Sequence, residues 1–90
     1  MNVPKINSPR QRRMLELLVR FGRVTNIQIR EYVGALNAPE LMAQLRKNGW
    51  EWTCERIEVI DRDGQHCRPG LYGLSEEHQI LAAEILEIKV

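Results

Sequence analysis

Cys54, His66, Cys67 and His78 are the side chains of this sequence best suited to bind zinc, and their spacing is poor for it. No Cys-x-x-Cys or His-x-x-x-His pair occurs, and His66 and Cys67, as neighbours on an extended segment, project to opposite faces. No metal is expected. The chain also lacks a glycine-rich phosphate loop, and no helix sets paired carboxylates beside a nucleophile. No enzyme activity, cofactor or small-molecule substrate is therefore expected. The basic side chains do form a pattern. Residues 1–30 carry Lys5, Arg10, Arg12, Arg13, Arg20, Arg23 and Arg30 against Glu16 alone, while residues 75–90 carry Lys89 against Glu76, Glu77, Glu84 and Glu87. The whole chain sums to only +1. A basic surface at one end suits phosphate groups and leaves the acidic end turned elsewhere.

Ninety residues, 43% hydrophobic and 28% charged, make one small globular domain over 1–90. No apolar run approaches the ~18 to 20 residues of a membrane span, and none in the first twenty residues resembles a signal peptide. The expected location is cytoplasmic, with both cysteines reduced and free.

Capping signals divide the chain. Ser8-Pro9-Arg10-Gln11 reads as a capping box with Pro at the first helical position. The helix it opens runs to about Phe21, with Met14, Leu17, Leu18 and Phe21 on a core face, Arg12, Arg13, Glu16 and Arg20 opposite, and Gly22 as the stop. Residues 1–7 precede it as a flexible arm. Thr25-Asn26-Ile27-Gln28 repeats the box and opens a shorter helix with Ile29 and Val33 inward and Gly34 as its C-terminal glycine. Asn37 caps a third helix over 38–48, which Gly49 ends; the connection of residues 34–37 has the length that a helix-turn-helix uses.

Beyond Gly49, Trp52, Thr53, Ile57, Val59 and Ile60 read as a strand that meets Asp61-Arg62-Asp63-Gly64. With Asp63-Gly64 as the two central residues of a type I′ turn, the returning strand covers about 65–74, and Pro69-Gly70 should place it at an edge or mark a bulge. That register puts Ile60 opposite Cys67, so Cys54 and Cys67 cannot form a cross-strand disulfide. Asp63 is assigned as a turn former. Trp50 and Trp52 share one strand face and are expected to pack on the third helix rather than stack on bases. Ser75-Glu76-Glu77 caps a last helix over 75–90.

Three helices, a β-hairpin wing and an added C-terminal helix give an α+β, winged helix-turn-helix order. The stretches Gly22-Arg23-Val24-Thr25 through Asn37, Leu45-Arg46-Lys47-Asn48-Gly49-Trp50, Asp61-Arg62-Asp63-Gly64 and Leu71-Tyr72-Gly73-Leu74 resemble a family of small helix-turn-helix proteins encoded by phages and prophages. The resemblance covers roughly residues 10–74. It implies a regulator that binds double-stranded DNA sequence-specifically, with helix 38–48 in the major groove and wing 61–64 beside it. One position departs from it: Leu41 stands where the family often carries a basic residue. The other function that this fold order accommodates is a phage accessory protein that binds and modulates a host protein.

Met42, Leu45 and Ala38 should face inward from the third helix, leaving Glu40, Ala43, Gln44 and Lys47 outward and Arg46 toward the flank; Ala43, Gln44, Arg46 and Lys47 are the candidate DNA contacts of this helix. Gln44 is the candidate base reader, since a side-chain amide pairs with adenine N6 and N7. Lys47 would lie near phosphate. Glu40 is assigned to the Asn37 cap. Arg62 at the wing tip and Arg56 and Arg68 on its strands are placed to reach backbone or minor groove, and Arg12, Arg13, Arg20, Arg23 and Arg30 to make sequence-independent phosphate contacts.

The last helix adds one expectation. Leu81, Ile85 and Ile88 form an inward stripe, yet Ile80, Ala82, Ala83 and Leu86 spread apolar surface around most of the circumference. Ala82 and Leu86 are then the expected seam of a homodimer or of a docking surface for another protein.

Overall fold

Ser8 starts the first helix through its side chain, which accepts the Gln11 N–H at 3.2 Å; α1 runs Pro9–Phe21 and stops at Gly22, whose φ is 76°. The computed structural model describes residues 3–34, 37–67 and 69–88. Leu15 and Val19 join Met14, Leu17 and Leu18 in the core, a wider stripe than predicted. Phe21, predicted to be core, is instead 52% exposed. As the final residue of α1 it lies outside the core against Tyr32, 5.9 Å between ring centroids.

Thr25 and Gln28 form the predicted capping box in full, and α2 spans Asn26–Val33 with Gly34 left-handed at its end. The third helix, α3, is Ala38–Lys47; Asn48 serves as its C-cap, one residue short of the predicted end. Ala38, Met42 and Leu45 are buried as expected, and so is Leu41, at 4% exposure. Leu41 is thus a core residue, and the basic side chain the resemblance associates with this position would be buried here.

The predicted single hairpin is resolved into two ladders. Strands β2 (Trp52–Arg56) and β5 (Gly70–Leu74) pair near the core, while β3 (Val59–Ile60) and β4 (His66–Cys67) pair toward the tip. A further strand with no counterpart in the sequence reading, β1 (Arg23–Thr25), joins the other edge of β5. The larger sheet is antiparallel in the order β1-β5-β2, so β5 is central where Pro69-Gly70 suggested an edge or a bulge, and the register is the same on either side of Pro69. Pro69 is tolerated because it lies just before β5, and its carbonyl still accepts the Ile57 N–H at 3.2 Å.

The register differs by one residue from the expected one. Ile60 faces His66, Val59 faces Cys67, and Cys54 faces Tyr72. The turn is a three-residue loop, Arg62-Asp63-Gly64, closed by the Asp61 N–H donating to Gln65 O at 3.0 Å. Asp61, rather than Asp63, forms the turn: its Oδ1 accepts the N–H groups of Asp63 and Gln65, each at 2.9 Å. Gly64 supplies the left-handed residue that a three-residue hairpin needs, with φ 76°. The thiols remain unpaired in this register too.

Val24, Tyr72 and Trp52 line the sheet face that closes over the helices, with Trp52 and Tyr72 edge-to-face at 5.6 Å. Trp50, just before β2, is 1% exposed; its indole N–H donates to Lys5 O at 2.9 Å and its ring meets His78 at 5.6 Å. On the opposite sheet face, Arg23 reaches across Gly73 to Glu55 at 3.0 Å. A Cβ at Gly73 would come within 3.2 Å of the Arg23 side chain.

Ser75 caps α4 (Glu76–Ile85) as expected, but the helix ends before Ile88, which was predicted to lie on it, and is turned from its predicted orientation. Ala82 and Leu86, expected on an outer seam, are core residues at 0% and 7% exposure, whereas Ile80 and Ile85 are exposed at 60% and 38%. The small Ala82 and Ala83 let α4 approach α1 closely, and Gln79 reinforces that approach by donating to the carbonyls of Leu18 and Val19 at 2.9 and 3.1 Å. The helix ends in a Schellman arrangement: the Ile88 N–H donates to Ala83 O and the Glu87 N–H to Glu84 O. Glu87 takes the left-handed position, φ 56°, that glycine usually fills. Relief of that strain, ~1 to 2 kcal/mol, exceeds the added unfolded-state entropy of glycine, so Glu87→Gly should raise unfolding stability by about 0.5 to 1 kcal/mol. A urea titration read by tryptophan fluorescence checks this.

The stretch 1–7, expected to be a flexible arm, is docked where it is described. The Lys5 N–H donates to Asn48 O at 2.9 Å, and the Asn7 side chain donates to that of Asn48 at 3.1 Å. Pro4 lies so near Gly49, whose φ is 101°, that a Cβ there would come within 3.4 Å.

Candidate functional site

The outer face of α3 is a polar surface held clear of the core. Asn37 aims the helix by accepting the Glu40 N–H at 3.2 Å, and the burial of Leu41, Met42 and Leu45 leaves Glu40, Ala43, Gln44 and Lys47 in solvent. Glu40 is turned back on the cap: its carboxylate accepts from the Asn37 amide at 3.4 Å. What remains is Ala43, Gln44 and Lys47, a small residue, an amide and a cation on one side of the helix. Such a face can approach a base edge closely, form hydrogen bonds with it and neutralise a neighbouring phosphate. Lys47 makes no ion pair among the described residues and sits where the helix dipole favours a cation.

Arg46 is committed elsewhere. Its guanidinium lies 3.9 Å above the Trp52 ring and donates to Trp52 O at 2.8 Å, while the Trp52 indole N–H donates to Met42 O at 2.7 Å. Together these interactions fasten α3 to β2, and Arg46 works as a brace for the helix.

The remaining basic candidates differ in how available they are. Arg13 donates to Val33 O at 3.3 Å, tying α1 to the end of α2, and Arg23 is paired with Glu55. Arg12 is held loosely by Glu16 at 3.5 Å, both side chains being well exposed. Such pairs contribute little and exchange readily for another anion. Arg10, Arg20, Arg30 and the loop residue Arg62 are exposed and show no ion pair among the described residues. Arg56 lies near Tyr72, whose phenol is pushed up from its usual range by burial first and then by the Cys54 thiol, with Arg56 acting the other way. Arg68 lies outside the described residues.

Two polar groups near the hairpin tip have structural work. The Cys67 thiol donates to Asp61 Oδ2 at 3.6 Å, and desolvation followed by that carboxylate raises it above the usual thiol range. The thiolate is disfavoured, which is the reverse of what a reactive cysteine needs. His66 Nδ1 and Glu58 approach to 3.4 Å.

The sequence reading missed a polar network beside α3. Gln11, 5% exposed, was expected to complete the Ser8 box, but its Oε1 accepts the Asn7 N–H at 2.8 Å and the Asn48 side-chain amide at 2.9 Å. Its Nε2 faces Gln44 Oε1 at 3.5 Å. A glutamine third in a helix signals a cap; nothing in its local sequence announces a partner thirty-three residues on.

A concavity lies where Val3 and Pro4 meet α4. It holds about 460 Å³ and is lined by His78, Ile80 and Leu81 between the carboxylates of Glu77 and Glu84. Among the described residues no helix is long and apolar enough to cross a membrane. Neither a protein-family model nor a curated protein matches this sequence.

Proposed function

We propose that this chain is a winged-helix regulator of the phage or prophage type that binds double-stranded DNA sequence-specifically, with α3 in the major groove and the Asp61–Gln65 tip as its wing. The observation that carries this reading is the face of Ala43, Gln44 and Lys47, uncovered on a helix whose other side is fully buried in the core. Its support is the order of elements, three helices followed by an antiparallel hairpin, together with the exposed arginines of α1 and Arg62. Gln44 contacts a base edge, Lys47, Arg12 and Arg62 contact phosphates, and Arg46 and Arg13 hold the framework.

Fluorescence anisotropy of a labelled random duplex, titrated at several salt concentrations, tests this reading. Affinity should fall linearly in log–log coordinates, and replacing Arg12 and Arg62 by alanine should flatten the slope by about 0.9 for each phosphate that is no longer neutralised. An unchanged slope in that variant removes those two arginines from the interface; no binding at low salt removes the reading itself.

One observation favours a second reading, in which the chain is an accessory protein that docks a host protein. The groove between the arm and α4 exposes Val3 at 64% and Ile80 at 60%, with carboxylates at its rim. Absence of any duplex binding would shift the weight to this surface.

A further inference from the structure

A side-chain amide has one end that accepts and one that donates, so a chain of amides takes its polarity from whichever member meets an unambiguous partner. Here that member is Gln11. Its Oε1 accepts the backbone N–H of Asn7 at 2.8 Å, a group that can only donate, and the Asn48 Nδ2 at 2.9 Å. The Asn48 Oδ1 in turn accepts from the Asn7 Nδ2 at 3.1 Å, so the polarity is consistent around the network. Only the Nε2 of Gln11 is left to face Gln44, which meets it with its carbonyl oxygen at 3.5 Å. Gln44 therefore holds its carbonyl toward the protein and directs its NH2 group away from Gln11.

We propose that Gln11 is a positioning residue for base reading: buried beneath α3, it orients the Gln44 amide so that the exposed face offers hydrogen-bond donors. The inference rests on the DNA-binding reading and sharpens it. A freely rotating glutamine pairs best with adenine, giving a donor to N7 and accepting from N6. A glutamine whose carbonyl is already engaged offers mainly its donors, which match the acceptor edges, guanine N7 and O6 or thymine O4. The expected preference at the contacted position is guanine or thymine, with adenine weaker and cytosine, whose exocyclic amine is a donor, weakest.

The test is Gln11→Glu. A carboxylate keeps both acceptor bonds, to the Asn7 N–H and the Asn48 amide, but presents an acceptor to Gln44, whose amide must then turn its carbonyl outward. Selection from a randomised duplex pool, followed by anisotropy on duplexes differing at the contacted position, should show wild type favouring guanine or thymine over cytosine by about tenfold. Q11E should shift that preference toward cytosine and adenine. Gln11→Met, which is close in shape and makes no hydrogen bond to Gln44, should release the amide and bring adenine up; it stands in if Q11E does not fold. Q44A should lose the preference in any background. A Q11E or Q11M protein that binds DNA with wild-type base preference overturns the inference and leaves the DNA-binding reading standing. A wild-type protein that binds no duplex overturns both.

Discussion

Trp50→Ala is expected to remove about 3 to 5 kcal/mol of stability, the usual loss for truncating a fully buried aromatic side chain. A domain of this length has only roughly 5 to 13 kcal/mol in total, so the loss is a large share of it. Trp50 is 1% exposed, and its ring borders the first turn of α4 through His78. Its indole N–H also anchors the arm at Lys5 O, and the adjacent Glu51 N–H donates to His78 Nδ1 at 2.8 Å. Truncation therefore opens a cavity and leaves the arm without one of its fastenings. Urea denaturation followed by circular dichroism should show the midpoint falling steeply. Trp50→Phe, which keeps most of the volume and loses only the hydrogen bond and one ring, should cost less than half as much. Equal losses for the two variants would mean that the hydrogen bond, and not the packing, dominates.

Lys47→Glu should have the largest effect on binding with almost none on folding. Lys47 is exposed at the end of α3, so reversing it costs the fold only the helix-dipole preference, about 0.3 to 1 kcal/mol. At a DNA interface the same change removes a cation from a phosphate and sets a carboxylate against the backbone, a like-charge approach worth several kcal/mol. Duplex affinity should drop roughly a hundredfold or more at low salt, and the deficit should shrink as salt screens the repulsion. Anisotropy on one duplex, with wild type and variant melted in parallel, measures both quantities. Unchanged affinity in a folded K47E protein would place the DNA interface away from α3.

The helix starts were legible in the sequence because the interactions that set them are local. Ser8, Thr25, Asn37 and Ser75 each cap a helix through a backbone N–H three residues ahead, and Gly22 and Gly34 end two of them. The exposed face of α3 was legible for the same reason: Met42 and Leu45 mark its inner side, so Ala43, Gln44 and Lys47 fall on the other.

Where an alternative differed by one residue or by a rotation, local pattern could not choose. The turn slipped by one residue because the Asp61 carboxylate accepts two backbone N–H groups in a three-residue loop, an interaction that the Asp-Gly pair by itself does not reveal. β1 exists because Val24 finds Tyr72, forty-eight positions along the chain; three residues do not make a strand without that partner. A helix apolar around most of its circumference carries no period to say which side turns inward. The close approach of α1 decided that α4 buries Ala82 and Leu86 and leaves Ile80 exposed. The arm docks because Trp50 and Asn48 offer it hydrogen-bond partners, and Gln11 meets Gln44 because the fold brings the first turn of α1 to α3. Apart from the Asp61 turn, each of these interactions joins residues far apart in the chain, and its loop-closure entropy is offset only by the packing of the whole domain.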